Sequence, residues 1–418
     1  EANTQTNAAF TSITGFGRPA VIHGGANSSS VTFNFGQHAF KGTDIPSGLK
    51  KISTANLPAP AIKDGTSAFQ STLYTGNGSA RNIDQIGNSK FLPDLIWLKN
   101  RDQADEHKIT DIARGVTKAW SADGTGGEDT DSDGLTSFDS DGFGLGSGAA
   151  GYNDNTEKFV AWQWKAGGGA GSANTTGSLN TTSTSVNTSA GFSLSKYTGN
   201  GSDGATIGHG LGVTPAFSII KRTDTTGTAV VVGTGMASTK AGQLSESDGE
   251  VGPFSSGYQV HTSSTLITLT DGSSSGANVN TSSGVYICYA WAAIEGFSAF
   301  GTYIGNGESG DGPLIFTGFA PAWLMIKRLD TADSWHIRDI VRGEAGNPRD
   351  EYLAADVTNA DRTYNGYLFD FLSNGFKAVG LEPGLTLASQ NADGGKYFYA
   401  AFAEHPFGGS GVSPATAR

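Results

Sequence analysis

The chain of 418 residues has a single cysteine, Cys288, which excludes an intramolecular disulfide framework and any zinc site built from several thiolates. Charged residues are only 16 % of the chain, against about 25 % in ordinary domains. Positive charge is the scarcer sign: 27 Lys and Arg stand against 39 Asp and Glu, a formal net charge of −12. Such a surface repels phosphate, which argues against nucleic acid as a partner. No apolar run approaches the roughly 20 residues of a membrane span; the longest lies near Val285 to Ile294, so no membrane insertion is expected. The His residues are scattered without metal-ligand spacing, and no Gly-x-Ser-x-Gly elbow occurs. The opening Glu1-Ala2-Asn3-Thr4 has neither an initiator Met nor a signal segment, and reads as the C-terminal part of a longer, soluble product.

Glycine, by contrast, is abundant at 61 residues, and aromatic residues make up 10 %. That composition fits turn-rich β architecture, and the length suits about three domains. Internal similarity supports this. Tyr74-Thr75-Gly76-Asn77-Gly78 recurs as Tyr197-Thr198-Gly199-Asn200-Gly201 and as Tyr303-Ile304-Gly305-Asn306-Gly307. Each copy is followed by a Pro-led apolar strand ending in Lys, at Pro93–Lys99, Pro215–Lys221 and Pro321–Lys327. Each unit closes on a second aromatic strand, at 158–164, 285–291 and 396–402.

The Asn-Gly pair supplies the positive φ that tight hairpin turns demand. In the Pro-to-Lys strand both alternating sets are apolar, Leu95 and Trp97 on one face and Ile96 and Leu98 on the other, as in an interior strand covered on both sides. Lys99, Lys221 and Lys327 fall at the strand exit, where the stem can lie on apolar surface while the ammonium reaches water. What helical periodicity there is amounts to a turn or two in Lys108–Arg114 and Ile337–Arg342. The expected fold is all-β, with tandem β-sandwich domains of jelly-roll or SPRY-like type. Expected boundaries are a partial domain or docking arm at 1–67, a first repeat at 68–168, a Ser/Thr/Gly linker at 169–189, a second repeat at 190–295 and a third with a C-terminal tail at 296–418. The linker is expected because its composition cannot bury a core.

These residues carry a resemblance. Phe33-Asn34-Phe35-Gly36-Gln37, followed by Pro46-Ser47-Gly48 and Thr54-Ala55-Asn56-Leu57-Pro58, resembles the closing strands of SPRY-type domains in bacteriophage virion proteins. The unit with Tyr74–Gly78, Pro93–Lys99, Asp111-Ile112-Ala113-Arg114-Gly115, Ser137–Phe143 and Ala161–Ala166 is similar to a repeat of poorly characterised function in tail-fibre and structural proteins of marine phages. The second unit departs from it: the Arg-Gly string has no counterpart, and Phe254–Tyr258 only approximates the later motif. The resemblance implies a virion component, extracellular in location, most simply a tail-fibre or surface-appendage subunit involved in host attachment. It also implies other virion proteins and the chain itself as partners, with a trimer by analogy to phage fibres. Alternatives are a head-decoration protein and a secreted or cell-surface carbohydrate-binding module, with a depolymerase third.

Chemistry-bearing motifs are few. Asp129-Thr130-Asp131-Ser132-Asp133-Gly134 matches the start of a calcium loop, with Asp139 and Asp141 as further ligands in place of the missing Glu; against calcium stands a plain solvated acidic loop. Asp111/Arg114 and Asp339/Arg342, with His107 and His336 upstream, invite an acid/base proposal, but a turn fastened by a local ion pair is the favoured reading. Cys288 sits in an aromatic strand as a small core group, and the glycine pairs in 142–146 and 208–212 read as turns or bulges. Trp120 and Trp335 have the most polar surroundings and are the candidates for stacking on a sugar. No convergent catalytic set is present, so the chain is read as no enzyme. If a host receptor, such as a surface glycan, is bound, the variable loops 123–133, 238–250 and 349–367 are where contact is expected, with Arg349, Tyr352, Arg362, Tyr364 and Tyr367 as the leading candidates.

Overall fold

In the computed structural model the described residues are 60–148, 150–252, 263–270, 278–308, 310–343, 346–363, 368–379 and 390–406. Among them the chain is all-β, and the helical content is one 3-10 turn at Gly65–Ser67. The first unit contains β1 (Phe69–Thr75), β2 (Arg81–Asp84), β3 (Leu95–Asn100), β4 (Lys108–Asp111), β5 (Lys118–Ser121), β6 (Asp129–Thr130), β7 (Leu135–Asp139), β8 (Gly142–Leu145) and β9 (Lys158–Trp164). They form a six-stranded antiparallel sheet ordered β1-β9-β3-β4-β5-β6 and a three-stranded sheet ordered β2-β8-β7.

The second unit contains β10 (Thr181–Asn187), β11 (Phe192–Thr198), β12 (Thr206–Gly208), β13 (Phe217–Arg222), β14 (Val230–Gly233), β15 (Gly242–Gln243), β16 (Leu266–Thr268) and β17 (Val285–Trp291). Their sheets are β10-β11-β17-β13-β14-β15 and β12-β16. The third contains β18 (Ser298–Ile304), β19 (Leu314–Phe316), β20 (Phe319–Arg328), β21 (His336–Asp339), β22 (Glu351–Ala354), β23 (Arg362–Thr363), β24 (Leu368–Leu372), β25 (Gly375–Val379) and β26 (Lys396–Pro406), in sheets β18-β26-β20-β21-β22-β23 and β19-β25-β24. In every large sheet the closing aromatic strand lies between the Tyr-led strand and the Pro-to-Lys strand, so the sequence repeat is a repeat of topology.

Side chains alternate across these strands with period two, and both faces are covered. From β9, Phe159 and Ala161 face the small sheet of their own unit, while Val160, Trp162 and Trp164 face a core shared by all three units. Ile287, Tyr289 and Trp291 of β17, and Phe398, Ala400 and Phe402 of β26, enter the same core. Phe402 is its hub: its ring meets those of Phe69 and Trp164 from the first unit, Trp291 from the second, and Phe300 and Trp323 from its own, at centroid distances of 5.5 to 6.3 Å. Each unit is a two-sheet sandwich around a core of its own, as expected, and the three share a further core between them. Each small sheet covers only the outer face of its large sheet, and the apolar inner face is buried against the other two units.

Several local expectations are corrected. The 169–189 stretch is not a free linker, because β10 pairs with β11 from Thr181↔Tyr197 to Asn187↔Phe192. Hydroxyl side chains offer little apolar surface, yet their backbone completes a sheet edge, and the buried Thr181, Thr184 and Ser195 satisfy one another's hydroxyls at 2.8 and 3.0 Å. Lys108–Arg114 divides into strand β4 and one turn, closed by Gly115 N–H on the Asp111 carbonyl, and residues 336–339 are strand β21. Of the 1–67 arm, the described part starts at Pro60 and Ile62 joins the shared core; the SPRY-like strings at 33–58 lie outside the described residues.

The Tyr-x-Gly-Asn-Gly string, finally, makes a turn but no hairpin, since β1 pairs with β9 and β2 with β8. It is a corner between sheets, and it is stitched the same way three times. Tyr74, Tyr197 and Tyr303 donate to the carbonyls of Tyr152, Val279 and Gln390. Asn153, Asn280 and Asn391 then accept from the backbone N–H of Asn77, Asn200 and Asn306 at 2.9 to 3.1 Å. A Cβ on Gly76, Gly199 or Gly305 would lie 2.1 to 2.3 Å from a facing carbonyl oxygen, so only glycine fits there.

Because the three inner faces make one core, the units are expected to unfold together. Calorimetry should give one transition with matching calorimetric and van't Hoff enthalpies, and Trp164→Ala should lower its stability by about 3–5 kcal/mol. Three resolved transitions, or a variant that melts one unit alone, would refute the shared core.

Candidate functional site

The chemistry that the sequence singles out collects at the seams between units. The loops after β5, β15 and β22 each lap onto another unit. Glu128 N–H donates to the Thr223 carbonyl at 2.7 Å, Glu250 N–H to that of Leu329 at 2.8 Å, and Asp361 N–H to that of Arg101 at 2.8 Å. Each acceptor lies two residues beyond one of the repeated lysines. The first unit thus grips the second, the second the third, and the third the first, which closes a ring.

These laps bury the lysines. Lys99, Lys221 and Lys327 are fully buried, contrary to the expectation that their ammonium groups reach water. Lys221 Nζ donates to the carbonyls of Thr125 and Gly126 in the first unit and Gly227 in its own. Lys327 Nζ donates to Ser247 of the second unit at 2.7 Å and to Asp333, and Lys99 to Asn100 and Gln103 at 2.6 and 3.0 Å. Burial pushes each of the three down to about 8 from the ordinary lysine range.

The Asp-Arg turns are fastened as expected: Arg114 Nε lies 2.5 Å from Asp111 Oδ2, and Arg342 Nε 2.7 Å from Asp339 Oδ2. The same carboxylates also reach across seams. Tyr289 of the second unit donates to Asp111 Oδ2 at 2.7 Å, and Trp162 Nε1 of the first donates to Asp339 Oδ2 at 2.9 Å. Neither histidine joins them. His107 is fully buried and accepts from Trp97 Nε1 at 3.0 Å through Nδ1, and burial holds its basicity well below the usual range. His336 Nε2 faces Asp333, 3.3 Å away.

No Trp ring is available for a sugar. Trp120 and Trp335 are fully buried, stacked near Lys221 and Lys327 at 6.0 and 5.5 Å, and Trp335 Nε1 donates to the Gln243 carbonyl at 2.9 Å. Polar neighbours in the sequence marked a seam and not a surface. Cys288 is buried, and burial raises its thiol to about 12, which suits the core role.

The calcium candidates do not converge. Asp129 begins the edge strand β6, Asp131 accepts from Asp133 N–H, Asp133 caps Ser147 N–H at 3.0 Å, and Asp139 accepts from Ser137, while Asp141 lies in the turn joining β7 to β8. Among the described residues the one close carboxylate group is elsewhere, Asp105, Asp154 and Glu157, and Asn100 Nδ2 ties Asp105 to Glu157. Of the receptor candidates, Arg349 and Tyr352 are buried, the latter beneath Arg338 at 5.5 Å. Arg362 is exposed, and Tyr364 and Tyr367 lie outside the described residues. An open groove of about 570 Å³ does occur at the seam of the second and third units, lined by Lys240, Asp248, Glu250, Asp330 and Lys396 around Leu329. One wall is the 238–250 loop singled out in the sequence; that Leu329–Thr331 and Lys396 complete the groove was not legible, because they come from the next unit.

These features define an all-β protein in which three tandem two-sheet units close around one core. The chain belongs to the DUF7483 family, described as a domain of unknown function, whose model matches residues 64–406 and so runs through all three units. No curated protein and no solved structure matches it.

The buried lysines give the seams a measurable signature. Their folded-state basicity, near 8, lies below the unfolded value of about 10.4, so between these limits the unfolded chain binds more protons and stability should rise with pH. Cys288 and, toward pH 10, buried tyrosines such as Tyr74, Tyr289 and Tyr303 are raised instead and oppose this, so the lysine contribution is read as the difference between parent and variant. Denaturant unfolding of Lys221→Met between pH 8 and 10 should show a slope shallower by up to about 1.4 kcal/mol per pH unit, the value for one proton. An unchanged slope would mean that Lys221 titrates as an exposed lysine.

Proposed function

We propose that this protein is a non-enzymatic structural component of a phage virion, a tail-fibre or other surface-appendage subunit that takes part in host attachment. The observation that carries this reading is the use made of the polar chemistry. The repeated lysines, and the Asp-Arg pairs that alone invited an acid/base reading, are used to hold three units in a ring. That is the economy of a rigid building block, and the residue-level resemblance to phage repeats supplies the setting. Self-association, with a trimer as first choice, and contacts with other virion proteins belong to the same proposal.

Within it, host contact falls on the open groove beside Lys240 and Lys396 and on exposed loop residues such as Arg362, since Arg349 and Tyr352 are committed to the interior. Labelling purified particles with an antibody to this chain should place it on the tail or its fibres. Labelling confined to the head would transfer it to capsid decoration, and absence from particles would reject the virion reading. Solution mass tests the assembly: a monomer at all concentrations removes the trimer.

A further inference from the structure

The Tyr-led strand of each unit stands toward one edge of its large sheet, and the second unit shows what that edge accepts. There β10 pairs antiparallel along β11. In the third unit the same position is held by β18, as the register shows: Tyr197 faces Tyr286 of β17, and Tyr303 faces Tyr397 of β26. On its other side β18 has no partner strand among the described residues. Only its first rung is taken, by the bridge between Ile294 and Ser298.

In an antiparallel ladder alternate residues bond to opposite neighbours. Ala403 N–H donates to Phe297 O, which sets the odd-numbered residues of β18 toward β26. The N–H and C=O groups of Phe300, Thr302 and Ile304 therefore turn outward, and no backbone group among the described residues bonds to them. The first unit differs at this edge in its charge: Thr75, the counterpart of Ile304, has its carbonyl taken by Arg81 Nη1 at 2.8 Å. Along β18 buried and half-exposed residues mix, and Ile304 is 56 % exposed.

Natural sheet edges are blunted by charge, proline or a bulge, because a bare edge is a template for another strand. The sequence Ser-Ala-Phe-Gly-Thr-Tyr-Ile carries neither charge nor proline, and its pairing with β26 runs without a register shift. We propose that β18 receives an extended, uncharged, hydroxyl-rich segment of a partner polypeptide by antiparallel strand addition, in the place that β10 takes in the second unit. Backbone bonds to Phe300, Thr302 and Ile304 would hold it. Small side chains are required beside Thr302, because the second unit already packs there: a Cβ on Gly235 would lie 2.6 Å from the Thr302 side chain. The Thr-Thr-Ser-Thr-Ser-Val-Asn of β10 meets that requirement at the equivalent edge. This inference rests on the edge geometry and stands apart from the virion reading.

The probe is a labelled peptide of residues 180–188, titrated with the full chain by fluorescence anisotropy. Saturable binding is expected, weakened at least tenfold by Thr302→Pro, which removes an outward N–H and leaves the ladder to β26 intact. Thr302→Val should bind like the parent, and an unchanged melting temperature certifies the fold of the proline variant. Two N-methylated peptides give a check that needs no variant: methylation along one edge of the peptide should abolish binding, and along the other should spare it. No binding up to about 1 mM, or equal affinity for both methylated peptides, overturns the proposal. So does a self-associated parent chain whose dimer is lost in Thr302→Pro, since that assigns the edge to a second copy.

Discussion

Strands that are apolar on both faces need cover on both sides, and this constraint organises the molecule. The Pro-to-Lys and closing aromatic strands put Leu, Ile, Phe and Trp on alternate faces, and the small sheet of each unit hides only one of them. Nothing within a single unit covers the other face. Three units turned inward cover one another, and the aromatic core around Phe402, Trp164, Trp291 and Trp323 is the result. Once the large sheets converge, their strand exits meet the loops of neighbouring units. The lysines at those exits then exchange water for backbone carbonyls, which a buried ammonium needs.

The seams are alike in plan and different in content. At the pairing position where the first and third units carry Asp111 and Asp339, the second has Gly233, opposite Phe217 as Asp111 is opposite Leu95. The space is filled from across the seam, since a Cβ on Gly233 would lie 2.2 Å from the Phe398 ring. The third unit has Ala400 where the others place the donors Trp162 and Tyr289, so the absent carboxylate and the absent donor coincide. A second exchange occurs nearby. Gly242 stands at the position of Trp120, and Trp335 of the third unit packs against it to supply the ring beside Lys327 that Trp120 supplies beside Lys221. The departure of the second unit from the repeat is thus compensated by its neighbour.

What was legible in the sequence is what depends on near neighbours. The double-faced strand Leu95–Leu98, the positive-φ corner at Asn77-Gly78 and the Asp111–Arg114 pair all follow from spacing within a few residues. The shared core was not legible, because Trp162 facing a partner sheet and Trp162 facing another unit present the same alternation. Lys221 was misjudged for a similar reason: its stem and strand position were visible, but the carbonyls that receive it belong to Thr125 and Gly126. Asn153, Asn280 and Asn391 did leave a signal, standing five residues ahead of the closing strand in every unit, but Asn in a loop is too common to be noticed without the corner it fastens.

The position of Phe402 bears on how the molecule is made. It lies on the last strand of the described chain, which is also an interior strand of its sheet, between β18 and β20. A ribosome adding about 5–20 residues per second delivers it tens of seconds after Trp97. Until it arrives, the aromatic inner faces of the preceding units lack the cover that the third supplies. A chain that stops short of β26 therefore exposes aromatic surface that the finished protein hides.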